Sequence, residues 1–120
     1  MKHDPKWVDY LEIPTKNIET AKTFFGAIFD WTFVDYGPDY CSFFDGRIEG
    51  GFFTSEITIT SQTSVLIVFY NDDLEGAIER ILSHGGQIVR EIFQFPGGER
   101  FHFSDPNGNE YAMWRNTGES

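Results

Sequence analysis

The sequence predicts an α+β domain built from two βαβββ modules in tandem. Three observations carry this. Each half opens with an alternating, strand-like run, continues with one amphipathic helix, and closes with three short strand candidates between turns. The helical segment Ile18-Glu19-Thr20-Ala21 returns as Leu74-Glu75-Gly76-Ala77, and the pattern at 40–45 returns at 100–105, so the halves read as a duplicated unit. Within a single domain, 1–120, the modules span residues 5–56 and 63–116. A lone module of roughly 55 residues would bury only about 60% of its unfolded surface, so the halves are expected to pack together or with a second chain.

Taken in order, residues 7–13 alternate toward an apolar face and predict the first strand. Asn17 caps a helix running to about Phe29, with Ile18, Ala21, Phe25 and Ile28 on its apolar stripe. Strands at 31–36, 40–44 and 48–54 follow, separated by Gly37-Pro38-Asp39 and Asp45-Gly46. Gly50-Gly51 suggests a bulge or a close backbone approach. Residues 57–63 are polar and lack Gly and Pro, which suits a connector that continues a strand. The second module opens with a strand at 65–70 and a helix capped by Asp72 or Asp73 that runs to His84, where Gly85-Gly86 ends it. Strands at 87–94, 100–104 and 110–115 complete it, the last two joined by Asp105-Pro106-Asn107-Gly108-Asn109.

Composition narrows the function. Nine Lys and Arg face nineteen Asp and Glu, a net charge of −10, which repels phosphate backbones and anionic lipid. Nucleic acid and membrane partners are therefore not expected. No apolar run approaches the roughly 20 residues of a spanning helix. The opening MKHDPKWVDY lacks the apolar core of a signal peptide, and the single cysteine, Cys41, leaves no intramolecular disulfide, so a cytoplasmic location is expected. Thirteen Phe, five Tyr and three Trp must be hidden in a core or used in a binding site.

Several segments resemble one family in the right order. These are Glu12-Ile13-Pro14 before Asn17-Ile18; Phe24-Phe25-Gly26 with Phe29-Asp30-Trp31; Asp72-Asp73-Leu74 with Gly85-Gly86; and Phe103-Ser104-Asp105-Pro106-Asn107-Gly108-Asn109 ending in Met113-Trp114. Together they resemble the vicinal oxygen chelate superfamily of glyoxalases, bleomycin-resistance proteins and extradiol dioxygenases, closest to its lactoylglutathione lyase-related group. The resemblance implies curled mixed sheets that form an open cup, a homodimer, and a divalent metal held by His and Glu on cup-lining strands. It places those ligand positions at Tyr10, Leu66 and Ala112, with a further one near 49–53. Leu66 and Ala112 have no lone pairs, and a phenol such as Tyr10 is ordinarily protonated, so the usual metal site is expected to be absent and no cofactor is implied. A two-residue slip would instead bring Glu12 or Glu110 into play as ligands of a divalent metal.

If Tyr10, Leu66 and Ala112 face the cup, alternation places Val8, Glu12, Val68, Glu110 and Trp114 there too. Leu11, Ile13, Val65, Ile67, Phe69, Tyr111 and Met113 then pack under the helices. This inward set reads as a pocket for a cationic or aromatic small molecule. Tyr10 and Trp114 also suit plain aromatic core, and Glu12 and Glu110 suit rim carboxylates paired with Arg47, Arg100 or Arg115. His102 faces away from Phe101 and Phe103; it is either structural or, with Glu12 and Glu110, an acid–base candidate. Two functions follow: a metal-free binding protein, or a glyoxalase-related lyase, isomerase or dioxygenase that uses a metal or these acid–base residues.

Overall fold

The computed structural model describes residues 3–118, in two units, Met1–Ile57 and Thr58–Ser120. Each is a four-stranded mixed sheet with one helix, and neither sheet closes on itself.

In the first unit the order along the chain is β1 (Tyr10–Thr15), α1 (Ile18–Phe29), β2 (Thr32–Asp35), β3 (Tyr40–Phe44) and β4 (Glu49–Thr54). Across the sheet it is β1-β4-β3-β2, with β1 and β4 parallel. β1 starts three residues later than expected. The Trp7 N–H donates to the Asp4 carbonyl in a turn, and pairing with β4 begins only at Tyr10↔Glu49. Val8 therefore lies outside the strand and has no assigned face. At the other end β1 runs on to Thr15, and Pro14 is tolerated because β1 is an edge strand. Asn17 caps α1, its Oδ1 accepting from the Thr20 N–H at 2.9 Å, and Asp30 ends it at φ 57°.

Under α1 lies a stack of aromatic rings. Trp31 sits 4.6 Å from Phe25 and 4.5 Å from Phe43, centroid to centroid, and Phe43 lies 5.1 Å from Phe52. Such pairs contribute about 0.5–1.5 kcal/mol each beyond burial. Gly50 is part of this packing. A Cβ there would meet the Phe43 ring at 2.2 Å and the Leu11 carbonyl oxygen at 2.5 Å. Of the two expectations for Gly50-Gly51, the close approach is found and the bulge is not, since β4 pairs without interruption to β1 and β3.

The second unit contains β5 (Val68–Tyr70), α2 (Leu74–Ser83), β6 (Gln87–Phe95), β7 (Gly98–Ser104) and β8 (Glu110–Asn116), with β5-β8-β7-β6 across the sheet. β5 is shorter than the expected 65–70. Its pairing to β8 spans only Val68↔Ala112 to Tyr70↔Trp114, so Leu66 falls before the strand, outside the row of residues on its face. Asp73 caps α2, its Oδ1 accepting from the Gly76 N–H. The connector is not a strand. Instead Ile59 clamps the start of β8: its N–H donates to Asn109 Oδ1 and its carbonyl accepts from the Glu110 N–H, both at 2.8 Å. Arg115 ties α2 to β7, pairing through both Nη atoms with Glu75 and through Nε and Nη2 with Glu99.

Asp105 organises the turn between β7 and β8. Its Oδ1 accepts from the Asn107 N–H at 2.9 Å and the Asn109 N–H at 3.0 Å, while Gly108 takes φ 91°. Burial pushes its carboxyl up to about 6, although these amides pull the other way.

Two outcomes follow. The Thr15 hydroxyl is fully buried with no hydrogen-bond partner among the described residues, a burden of about 1–3 kcal/mol. Thr15→Val should raise the free energy of urea unfolding by about 1 kcal/mol; a loss of that size would show that the hydroxyl has a partner. For Asp105, a folded-state value of about 6 against an ordinary 3.8 means its stabilising contribution is full below 3.8 and is lost as pH rises through about 6. Asp105→Asn lacks this dependence. The difference in Tm, variant minus parent, should therefore move in the variant's favour between about pH 4 and pH 7; a flat difference contradicts the assignment.

Candidate functional site

Strand alternation divides the second sheet into two faces. Phe101, Phe103, Tyr111 and Met113 are buried on the helix side. The open side carries Val68, Ala112 and His102 as directly paired neighbours, with Tyr70, Trp114 and Arg100 in the next row. Glu110, two residues before Ala112, shares that side.

A polar chain runs across this face. Glu110 is 7% exposed and His102 is 6% exposed. The Glu110 carboxylate accepts from the Ser61 N–H at 2.9 Å through Oε1, and its Oε2 lies 2.7 Å from His102 Nδ1. Burial alone would raise its pKa, but the Ser61 amide and the His102 ring outweigh that and hold the carboxyl below its ordinary range. An ionised carboxylate only accepts, so Nδ1 carries the proton. On the other side of the ring, Arg100 points Nη2 at Nε2 (2.9 Å) and Nε at the same atom (3.3 Å). A guanidinium only donates, so Nε2 holds the lone pair. The imidazole is thus fixed as its Nδ1–H form between an anion and a cation.

Beside this chain is a shallow cavity of about 230 Å³, lined by Val68, Phe95, Arg100 and Trp114. Trp114 packs edge-on against Tyr70 at 4.9 Å and tilts against Phe95 at 6.1 Å. Phe93, the next aromatic on β6, has the Arg90 guanidinium 3.5 Å above its ring and His102 5.8 Å away.

On the first sheet, Tyr10 and Glu12 occupy the open face, and Tyr40 joins them. The Tyr40 hydroxyl donates to Glu12 Oε2 at 3.0 Å and lies 2.5 Å from the Tyr10 hydroxyl. Gly51 makes room, since a Cβ there would meet the Tyr40 oxygen at 2.0 Å. Burial first, then Tyr10 and Glu12, push the Tyr40 phenol well above its ordinary value, so it stays a donor.

Of the residues singled out from the sequence, the second sheet brings together Val68, His102, Glu110, Ala112 and Trp114. Tyr10 and Glu12 meet on the first, and Leu66 belongs to neither group. Arg100, Phe95, Tyr40 and Ser61 were missed as site residues. Arg100 was legible, because it stands two residues from His102 on one strand and so shares its face. Ser61 was not, because only the fold of the connector brings it to Glu110.

The donors available do not fit the metal that the family resemblance implies. Ala112 sits directly between Val68 and His102 and offers a methyl group, and Leu66 offers no lone pair. Glu110 accepts from Ser61 and His102, the His102 Nε2 lone pair is taken by Arg100, and Glu12 accepts from Tyr40. Among the described residues no three His, Cys, Asp or Glu side chains come together as a metal-holding group. Nor, among them, is any helix long and apolar enough to cross a membrane.

No curated protein matches the sequence at a significant level. Solved structures do match the fold. A glyoxalase-related enzyme from Fulvimarina pelagi is 20% identical, with a TM-score of 0.76 over 92% of this chain and 88% of that one. The fosfomycin resistance protein FosX from Mesorhizobium loti is 18% identical, with a TM-score of 0.73 over 93% of both chains. FosX from Listeria monocytogenes, whose structure holds Mn(II) and a dihydroxypropylphosphonic acid, is 14% identical, with a TM-score of 0.76 over 90% and 88%. The profile of the Glyoxalase/Bleomycin resistance protein/Dioxygenase superfamily matches residues 7–113, nearly the whole chain, and the chain belongs to that superfamily.

Proposed function

We propose that this chain binds a small aromatic molecule on the open face of its second sheet, without a metal. One observation carries the reading: an apolar, aromatic-walled cavity (Val68, Phe95, Trp114) adjoins a hydrogen-bonded chain of charged and polar groups, Arg100, His102 and Glu110. Binding sites combine these two elements, apolar walls for affinity and a few fixed polar groups for orientation. The inward-facing residues of the sequence suggest a cationic or an aromatic ligand. This cavity supports the aromatic one, since the charged group in its wall is itself a cation. Ala112 and His102 stand in the neighbouring row of the sheet, and Glu110 holds the imidazole ring in place. Tyr10 and Glu12 join the reading only as a second polar group, on the first sheet. A homodimer and a cytoplasmic location belong to the same reading. Exposed Trp7, Val8 and Val65 support the dimer, and the single buried cysteine supports the location.

A second reading is favoured by the fixed imidazole. A histidine oriented by a buried carboxylate is the arrangement of a general base, which suits a lyase or isomerase that removes a proton next to a carbonyl. The base would be Nε2 of His102, once Arg100 turns aside.

The binding reading is tested on chelator-treated protein. Benzyl alcohol and indole should shift the backbone amide signals of β7 and β8 in ¹⁵N spectra, and Trp114→Ala should weaken both by about tenfold, the loss of one aromatic wall. Silence from every aromatic compound, or recovery only when Mn²⁺ or Ni²⁺ is restored, would sink it. The catalytic reading requires that an aryl methyl ketone incubated in D₂O gain deuterium next to its carbonyl, and that His102→Gln abolish this; exchange at the buffer rate rejects it.

A further inference from the structure

We infer that the ligand of this cavity carries a carboxylate, and that Arg100 recognises it. This rests on the binding reading above and adds the charge of what binds.

The first observation is an imbalance. Acidic side chains outnumber Lys and Arg nineteen to nine in this sequence, yet no Asp or Glu among the described residues pairs with Arg100. Arg115, on the neighbouring strand, has two carboxylates. Arg100 is half-buried, and its polar partner is the lone pair of an uncharged imidazole. A guanidinium partly withdrawn from water without a counter-ion is costly, and an arriving anion relieves that cost.

The second observation is geometric. His102 takes the Nε–Nη2 side of the guanidinium, and Nη1 has no hydrogen-bond partner among the described residues. The Nη1–Nη2 edge is therefore left for two parallel N–H···O bonds, the fork geometry that a carboxylate matches. His102 acts here as a positioning residue, because Glu110 fixes its proton on Nδ1 and so keeps Nε2 as the acceptor that holds Arg100.

The remaining walls set the body of the ligand. Trp114, Phe95 and Val68 are apolar, and about 230 Å³ falls below the roughly 300–1,000 Å³ of drug-sized pockets. A one-ring carboxylate suits both. The net charge of −10 opposes any anion at long range, but charges beyond about 8 Å are screened at physiological salt. Close by, Arg90 adds a second cation over Phe93 and Glu99 is held by Arg115, while the Glu110 carboxylate lies on the far side of the His102 ring, bonded to Ser61.

The test titrates the ¹⁵N-labelled full chain with benzoate and with its neutral counterpart benzamide, following the β7 and β8 amides. Benzoate should bind about tenfold more tightly, as a charge-assisted pair requires. Arg100→Gln should make the two affinities equal, while Arg100→Lys should keep part of the preference and Arg90→Gln most of it. Equal affinities in the parent protein, or a preference that survives Arg100→Gln, would overturn the inference while the binding reading stands. If neither compound moves these amides, the binding reading fails and takes the inference with it.

Discussion

A carboxylate withdrawn from water must be surrounded by hydrogen-bond donors, and in this protein much follows from that requirement at Glu110. Its two oxygens take the Ser61 amide and the His102 ring. The first bond holds the connector against the start of β8, beside the Ile59 clamp, so a segment without regular structure becomes part of the second unit. The second bond fixes where the imidazole keeps its proton, and therefore where it keeps its lone pair. Arg100 is steered by that lone pair. One buried charge thus organises a loop, a tautomer and a cation, in that order.

The two units share a topology and fill it differently. In the first, the space between helix and sheet is taken up by stacked Phe25, Trp31, Phe43 and Phe52, which press so closely on β4 that only glycine fits at position 50. Its open face carries the hydroxyl pair Tyr10 and Tyr40 above Gly51, leading to Glu12. In the second, the helix side is again aromatic, with Phe101, Phe103 and Tyr111, while the open face carries charge beside an aromatic cavity. The framework is common to both, and the side chains on the open faces differ.

That difference bears on chemistry. One solved structure of this fold, FosX from Listeria monocytogenes, holds Mn(II), whereas the positions at which the family resemblance implies metal ligands, Tyr10, Leu66 and Ala112, carry a phenol, an isobutyl group and a methyl group. The open face of the second sheet carries a guanidinium, an imidazole and an indole. Such a set can recognise charge and shape and can hold a proton, and a binding or acid–base role uses those properties directly.

The sequence by itself determined the βαβββ order, the helix caps at Asn17 and at Asp72 or Asp73, and the division of each strand into a packed and an open face. These depend on neighbours a few residues apart, through the period-two and 3.6-residue repeats and on local capping bonds. For the same reason Val68, Glu110, Ala112 and Trp114 could be placed on one face in advance, and His102 on the face opposite Phe101 and Phe103. Tertiary structure decided the rest. β1 begins at Tyr10 and β5 at Val68 because strand ends are set by where a partner strand begins and stops, so Val8 and Leu66 fell outside. The Ser61 bond to Glu110, the Tyr40 bond to Glu12 and the grip of His102 on Arg100 depend on distances between side chains on different strands and loops. No local pattern encodes those distances, and they are what give the open face its chemistry.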